Sequence, residues 1–128
     1  MSSHLIEDQI RTAIGAHGAW KLHLRAAVIS GTCDTTGDEA ACDDRCAFGK
    51  WLHGQQIDNQ TRRSVPFRVV LRLHKQFHAC AGDVIDAALA GQKDEALSIL
   101  EGDFTDVSHR LRRAMVKWAG EQTRQRCA

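Results

Sequence analysis

A chain of 128 residues is near the commonest size of a single folding unit and can bury a core without disulfide staples, so one domain spanning 1–128 is expected. With 17 Lys and Arg against 16 Asp and Glu the formal net charge is +1, and no window approaches the roughly 20 apolar residues of a membrane span, so composition favours neither nucleic acid nor membrane as partner. The segment MSSHLIEDQI carries no export signal, and five cysteines at irregular spacing do not form a paired secretory framework, which points to a cytoplasmic chain with reduced thiols.

From about Ser3 to Ser30, Ile6, Ile10, Ala13, His17, Trp20, Leu24 and Ala27 recur at spacings of three and four, the seam of a bundle helix. GTCDTTGDEAACDD follows at about 31–44. It lacks apolar periodicity and reads as a long exposed, mobile loop whose acidic end could cap a short helix beginning near Cys46 and ending at about Gly54. Ser64 and Pro66 mark the start of a long helix, with Ser64 suited to cap free amides. Its stripe is Phe67, Val70, Leu71, His74, Phe77, His78, Ala81, Ile85, Ala88 and Leu89, and Gly91 can stop it in a left-handed conformation. The last helix, about Lys93 to Gln122, carries Leu97, Leu100, Phe104, Val107, Leu111, Met115 and Trp118, with Gly102 a weak point. No strand signal competes. The expected fold is all-α: an antiparallel four-helix bundle with an additional short helix around Cys46.

Histidines inside apolar stripes need a partner or a metal. His74 and His78, four apart, place two rings on one helical face, close enough to bind one ion, although unrelated helices also carry such pairs as ordinary polar side chains. His17 lies in the seam of the first helix and can reach the same depth; taken alone, it could instead be satisfied by a backbone carbonyl. Cys46 offers a fourth donor near the start of the short helix, where the helix dipole favours a thiolate, against the alternative of a buried inert thiol. Phe48 and Trp51 can anchor that helix, and Gly49 allows close packing.

The segments HGAWK at 17–21, RCAFGKWLHG at 45–54 and LHKQFHACA at 73–81 resemble, in order, the three signature segments of the bacterial chemoreceptor zinc-binding domain family. The resemblance implies one Zn2+ held by His17, Cys46, His74 and His78. It also implies a non-catalytic regulatory role, attachment to or partnership with a chemoreceptor signalling domain or a diguanylate cyclase, frequent homodimerisation, and a response to zinc or to oxidation of the cysteine. The chain would then be either an input domain of a longer protein or a free-standing member that signals through a partner. His4, His23, His53, His109, Cys33, Cys42, Cys80 and Cys127 match no ligand position and are expected at the surface or in packing, although Cys33 and Cys42 could exchange or pair with Cys46 when oxidised.

Other metal chemistries fit less well. HKQFH has metalloprotease histidine spacing, but Lys75 stands where that motif needs its glutamate, and four protein donors leave no open position for a catalytic water. A hemerythrin-like di-iron bundle would use His17, His53, His74, His78 and His109 together with bridging carboxylates, yet the expected positions hold Ile57 and Ala114. There is no CxxCH motif for covalent haem. A purely structural zinc-binding module, such as a store or scaffold, is a further alternative, distinguished from a sensor by showing no conformational response to metal removal.

Overall fold

The protein's structure, a computed structural model, describes residues 3–127, with side chains described for 5–125. His4 and Cys127, expected at the surface or in packing, therefore have side chains outside the described residues. Among the described residues every regular element is helical. The seam residues Ile6, Ile10 and Ala13 are buried on α1 (Ser3–Gly18), and Leu24 and Ala27 are buried on α2 (Trp20–Ser30). The single helix expected from Ser3 to Ser30 is thus two segments that meet at Ala19, directly after Gly18, a residue whose backbone freedom weakens a helix. Gly31, at φ 71°, ends α2 in the left-handed region that glycine adopts without a Cβ clash.

Three further short helices precede the long central one: α3 (Gly37–Ala41), α4 (Ala47–His53) and α5 (Asn59–Arg63). The connection at 31–44 is therefore not a bare loop. Thr36 caps α3 by accepting the Glu39 N–H, and Gly37 and Ala40 are buried against the long helix. The central helix α6 (Val65–Leu89) starts after Ser64 with proline in its first turn and is followed by Gly91 at φ 75°. Ser64 occupies the cap position without capping: its hydroxyl donates back to the Thr61 carbonyl at 2.6 Å, closing α5 instead.

The last rod comprises α7 (Lys93–Ile99), a π-helical stretch (Leu100–Phe104) and α8 (Thr105–Cys127). The π turn contains Gly102, and the Thr105 hydroxyl donates to the Leu100 carbonyl at 2.7 Å within the altered register.

The chain is an all-helical bundle. α8 packs along α1 and the first half of α6, while α7 packs along α2 and the second half of α6. The short helices complete the cross-section. α3 lies on the second half of α6, with Gly37 beside Asp86 and Ala41 beside Gly82, so it runs antiparallel to α6. α4 wedges between α1, α6 and α8. Its Trp51 stacks on Trp118 of α8 at 5.7 Å between ring centroids, and its Phe48 stacks on Trp51 at 5.7 Å. Phe77, Phe104, Leu111, Met115 and Trp118, each at most 1% exposed, form the centre of the core.

Candidate metal centre

The apolar seams of α1 and α6 bring histidines into the core because the helical period places His17 in line with Ile10 and Ala13, and His74 and His78 in line with Phe67, Val70 and Phe77. The three rings are 6%, 0% and 2% exposed. Cys46 reaches them from the start of α4. The ligand-type atoms of His17, Cys46, His74 and His78 all lie within 4.8 Å of one another, so the structure assembles the four residues that the motif singles out.

The distances suit a tetrahedron. Bonds of about 2.05 Å to nitrogen and 2.3 Å to sulfur would give edges of roughly 3.3 Å between nitrogens and roughly 3.5 Å between nitrogen and sulfur. The Nε2 atom of His74 lies 3.0 Å from that of His17 and 3.2 Å from that of His78. The Cys46 sulfur lies 3.4 Å from His74 Nε2, 3.5 Å from His78 Nε2 and 3.8 Å from His17 Nε2.

Tautomers sharpen the case. His17 Nδ1 meets the Ala13 carbonyl at 2.9 Å, and His78 Nδ1 meets the Ala40 carbonyl at 2.9 Å. A carbonyl only accepts, so both Nδ1 atoms carry the proton, and in the neutral ring each Nε2 presents a lone pair to the centre. His74 Nδ1 is buried without a hydrogen-bond partner. Either neutral tautomer of His74 leaves a fault: a proton on Nε2 leaves Nδ1 a buried lone pair without a partner, and a proton on Nδ1 leaves three facing Nε2 lone pairs with the Cys46 S–H as the one donor among them. A cation at the centre of the four donors resolves the conflict, and the donor set, three imidazoles and one thiol, is one that zinc accepts.

Burial sets the protonation states. It pushes His17, His74 and His78 below the ordinary imidazole value, His74 down to about 2, where the neighbouring rings of His78 and His17 add to the effect. All three are therefore neutral at pH 7, the form that binds metal. Burial raises the Cys46 thiol above its ordinary value, so the sulfur keeps its proton until a positive charge arrives.

The local fold places the sulfur. Cys46 itself caps α4, its Sγ accepting the Gly49 N–H at 3.2 Å, a role the sequence had suggested for the acidic residues before it. Gly49 is required because a Cβ there would lie 1.7 Å from the Asp43 carbonyl oxygen. His53 contacts the Asp43 carboxylate at 3.1 Å and joins the preceding turn to the end of α4. Phe48, Phe77 and Trp20 wall the centre, with ring centroids 5.2–5.7 Å from the histidines they face.

Three contributors had no sequence signal: the carbonyls of Ala13 and Ala40, which orient two rings, and Arg62. The Arg62 guanidinium donates to the carbonyls of Leu52, Gly54 and Ile57 and fastens the end of α4. The other histidines stay outside the cluster. His23, His53 and His109 are exposed, and neither His53 nor His109 joins a second metal set among the described residues, as a di-iron centre would require. Cys33, Cys42 and Cys80 are half-buried free thiols.

Fold and donor set together define a helical metal-binding domain with a closed three-histidine, one-cysteine centre. The chain belongs to the chemoreceptor zinc-binding domain family: the family's model matches residues 17–85, more than half of the chain and a span that includes all four donors. No curated protein and no solved structure matches it. It is accordingly a zinc-binding signalling domain of a regulatory rather than catalytic family, and no helix among the described residues is long and apolar enough to cross a membrane.

Proposed function

We propose that this chain is a single cytoplasmic sensory domain of bacterial signal transduction in which His17, Cys46, His74 and His78 ligate one zinc ion. The observation that carries this reading is the convergence of those four donor atoms within 4.8 Å in a buried, aromatic-walled centre. Four protein donors leave no place for a catalytic water, in keeping with a domain that is not an enzyme. When bound, zinc supplies the positive charge that draws the proton from the Cys46 thiol. His17 and His78 are held in the binding tautomer by their carbonyl partners, and Phe48, Phe77 and Trp20 pack against the histidine rings. With the ion held, His17, Cys46, His74 and His78 would tie α1, α4 and α6 together, and oxidation of Cys46 would change how the start of α4 is held. We assign the output to a chemoreceptor signalling domain or a diguanylate cyclase, reached through a homodimer of this domain.

The test is metal content by mass spectrometry on protein purified without added metal, for the native chain and for Cys46→Ala and His74→Ala. About one zinc per chain, lost at least tenfold in affinity in both variants, is expected. Unchanged zinc in either variant, or iron near two per chain, would remove the assignment. Light scattering on the same preparation checks the dimer, which a single-chain mass would refute.

A further inference from the structure

We propose that Cys42 is the resolving partner of Cys46, and that a two-electron oxidant of the peroxide class converts the pair into an intramolecular disulfide that keeps the sulfur away from the metal centre. The inference rests on the zinc reading above and extends it to a second residue for which the ligand set has no role.

The geometry is local. A cleft of about 210 Å³ opens beside the metal centre, and its wall includes Cys42, Arg45, Cys46 and His78. It is the approach by which a small oxidant meets the Cys46 sulfur, and it brings Cys42 to the same rim. Both cysteines are half-buried and free. The two residues flank one short turn: Cys42 is the C-cap of α3, Cys46 the N-cap of α4, and only residues 43–45 lie between them. A loop that short keeps the two thiols near each other at little entropic cost. Cys42 Sγ is held only by a contact of 3.3 Å to the Asp38 carbonyl at the exposed end of α3. A disulfide needs Cα atoms about 4.4–6.8 Å apart, a span that a turn with three intervening residues can adopt. It can do so once the Cys46 sulfur leaves the three histidines.

The other cysteines are placed elsewhere. Cys33 packs against the core ahead of α3 and is not part of this cleft wall, and Cys80 lies in a separate cleft with Asp103, Asp106 and Arg110.

The chemistry balances. Hydrogen peroxide transfers one oxygen to the Cys46 sulfur, giving a sulfenic acid and leaving water after proton transfer. The Cys42 sulfur then attacks that sulfur. The S–S bond forms, the S–O bond breaks, and the Cys42 proton leaves with the hydroxyl as a second water. Two thiols lose two electrons, and one peroxide is reduced to two waters. The bond takes the sulfur that caps α4 and pulls it toward α3, whose Ala40 carbonyl orients His78, so the metal set loses a donor while the orientation of a second is disturbed.

The experiment treats the full chain, zinc-loaded and chelator-stripped, with a small excess of hydrogen peroxide, then maps thiols by tryptic mass spectrometry with zinc quantified in parallel. Trypsin cuts after Arg45, so the bond joins two peptides, and fragmentation between Cys33 and Cys42 identifies the partner. The expected result is a Cys42–Cys46 link in the stripped chain. In the zinc-loaded chain the link appears in proportion to released zinc. In Cys42→Ser, Cys46 should instead accumulate as sulfenic acid trapped by dimedone, severalfold above the native chain, while Cys33→Ser behaves as native. Cys46 joined to Cys33 or Cys80, or left as sulfenic or sulfinic acid with Cys42 reduced, overturns the proposal even if zinc is released. A chain that binds no zinc at the outset refutes the zinc reading separately, and the stripped sample still decides the pairing.

Discussion

His17 and His78 each use one ring nitrogen on a backbone carbonyl and present the other to the centre, whereas His74 has no partner for Nδ1. In the metal-free chain these buried imidazoles are a liability in acid. Their folded values lie below the unfolded value near 6.5, so the unfolded chain takes up protons first as pH falls. The neutral rings therefore leave stability unaffected above about pH 7 and withdraw it as pH drops through 6.5, each by at most about 1.4 kcal/mol per pH unit. Urea unfolding with chelator present should give nearly equal stabilities at pH 7 and 8 and a clearly lower one at pH 5.5, with part of the loss abolished in His74→Phe. A flat profile down to pH 5.5 would mean that the rings are not buried neutral. The four residues that converge were legible in the sequence because side-chain identity and spacing carry them. The carbonyls that aim two of the rings were not, since a backbone oxygen leaves no mark on residue type.

At the scale of elements, periodicity made the three long rods legible, down to Trp118 and Met115 in the last. It failed at α3 and α5, whose five residues each are too few to show a helical period. The missed α3 matters, because it sets the Ala40 carbonyl against His78, and it can approach α6 only where both backbones lack side chains. A Cβ at Gly82 would lie 2.6 Å from the Gly37 carbonyl oxygen and 3.0 Å from the Ala41 Cβ, and one at Gly37 would meet the Asp86 carboxylate. Gly82→Ala gains up to about 1 kcal/mol of intrinsic helix preference but drives α3 off its seat, so overpacking of about 1–3 kcal/mol should win. Gly15, an exposed α1 position where an added methyl would meet nothing within 4 Å, is the control: Gly15→Ala should stabilise by about 0.5–1 kcal/mol. Chemical denaturation with zinc titration separates the two effects. Weaker zinc binding in Gly82→Ala with native affinity in Gly15→Ala is expected; equal affinity in both would mean that α3 does not position His78.

Across the whole molecule, a metal held by the four converging residues would join parts that differ in how firmly they are held without it. α1 and α6 both pack along α8 through a core that the metal does not touch, centred on Phe104, Leu111, Met115 and Trp118. The end of α4 is also independently secured, by the Trp51–Trp118 stack and by Arg62 on three carbonyls. α3 is seated on α6 through its buried Gly37 and Ala40, so what a metal held by the four residues would secure is the turn at 43–46 and the first turn of α4. There Cys46 supplies both the cap and the fourth donor, and the turn between the two helices has little other anchorage than the His53–Asp43 contact. Zinc contributes roughly 10 kcal/mol or more in small structural sites, comparable with the 5–15 kcal/mol of a whole domain, so its removal should be felt strongly, yet locally. Hydrogen exchange after chelation should rise most in residues 43–50, with α3 and the centres of α6 and α8 remaining protected and far-UV circular dichroism nearly unchanged. Exchange that rises uniformly, together with loss of helicity, would show that the metal holds the bundle itself and would end the account of a zinc-gated segment on a stable scaffold.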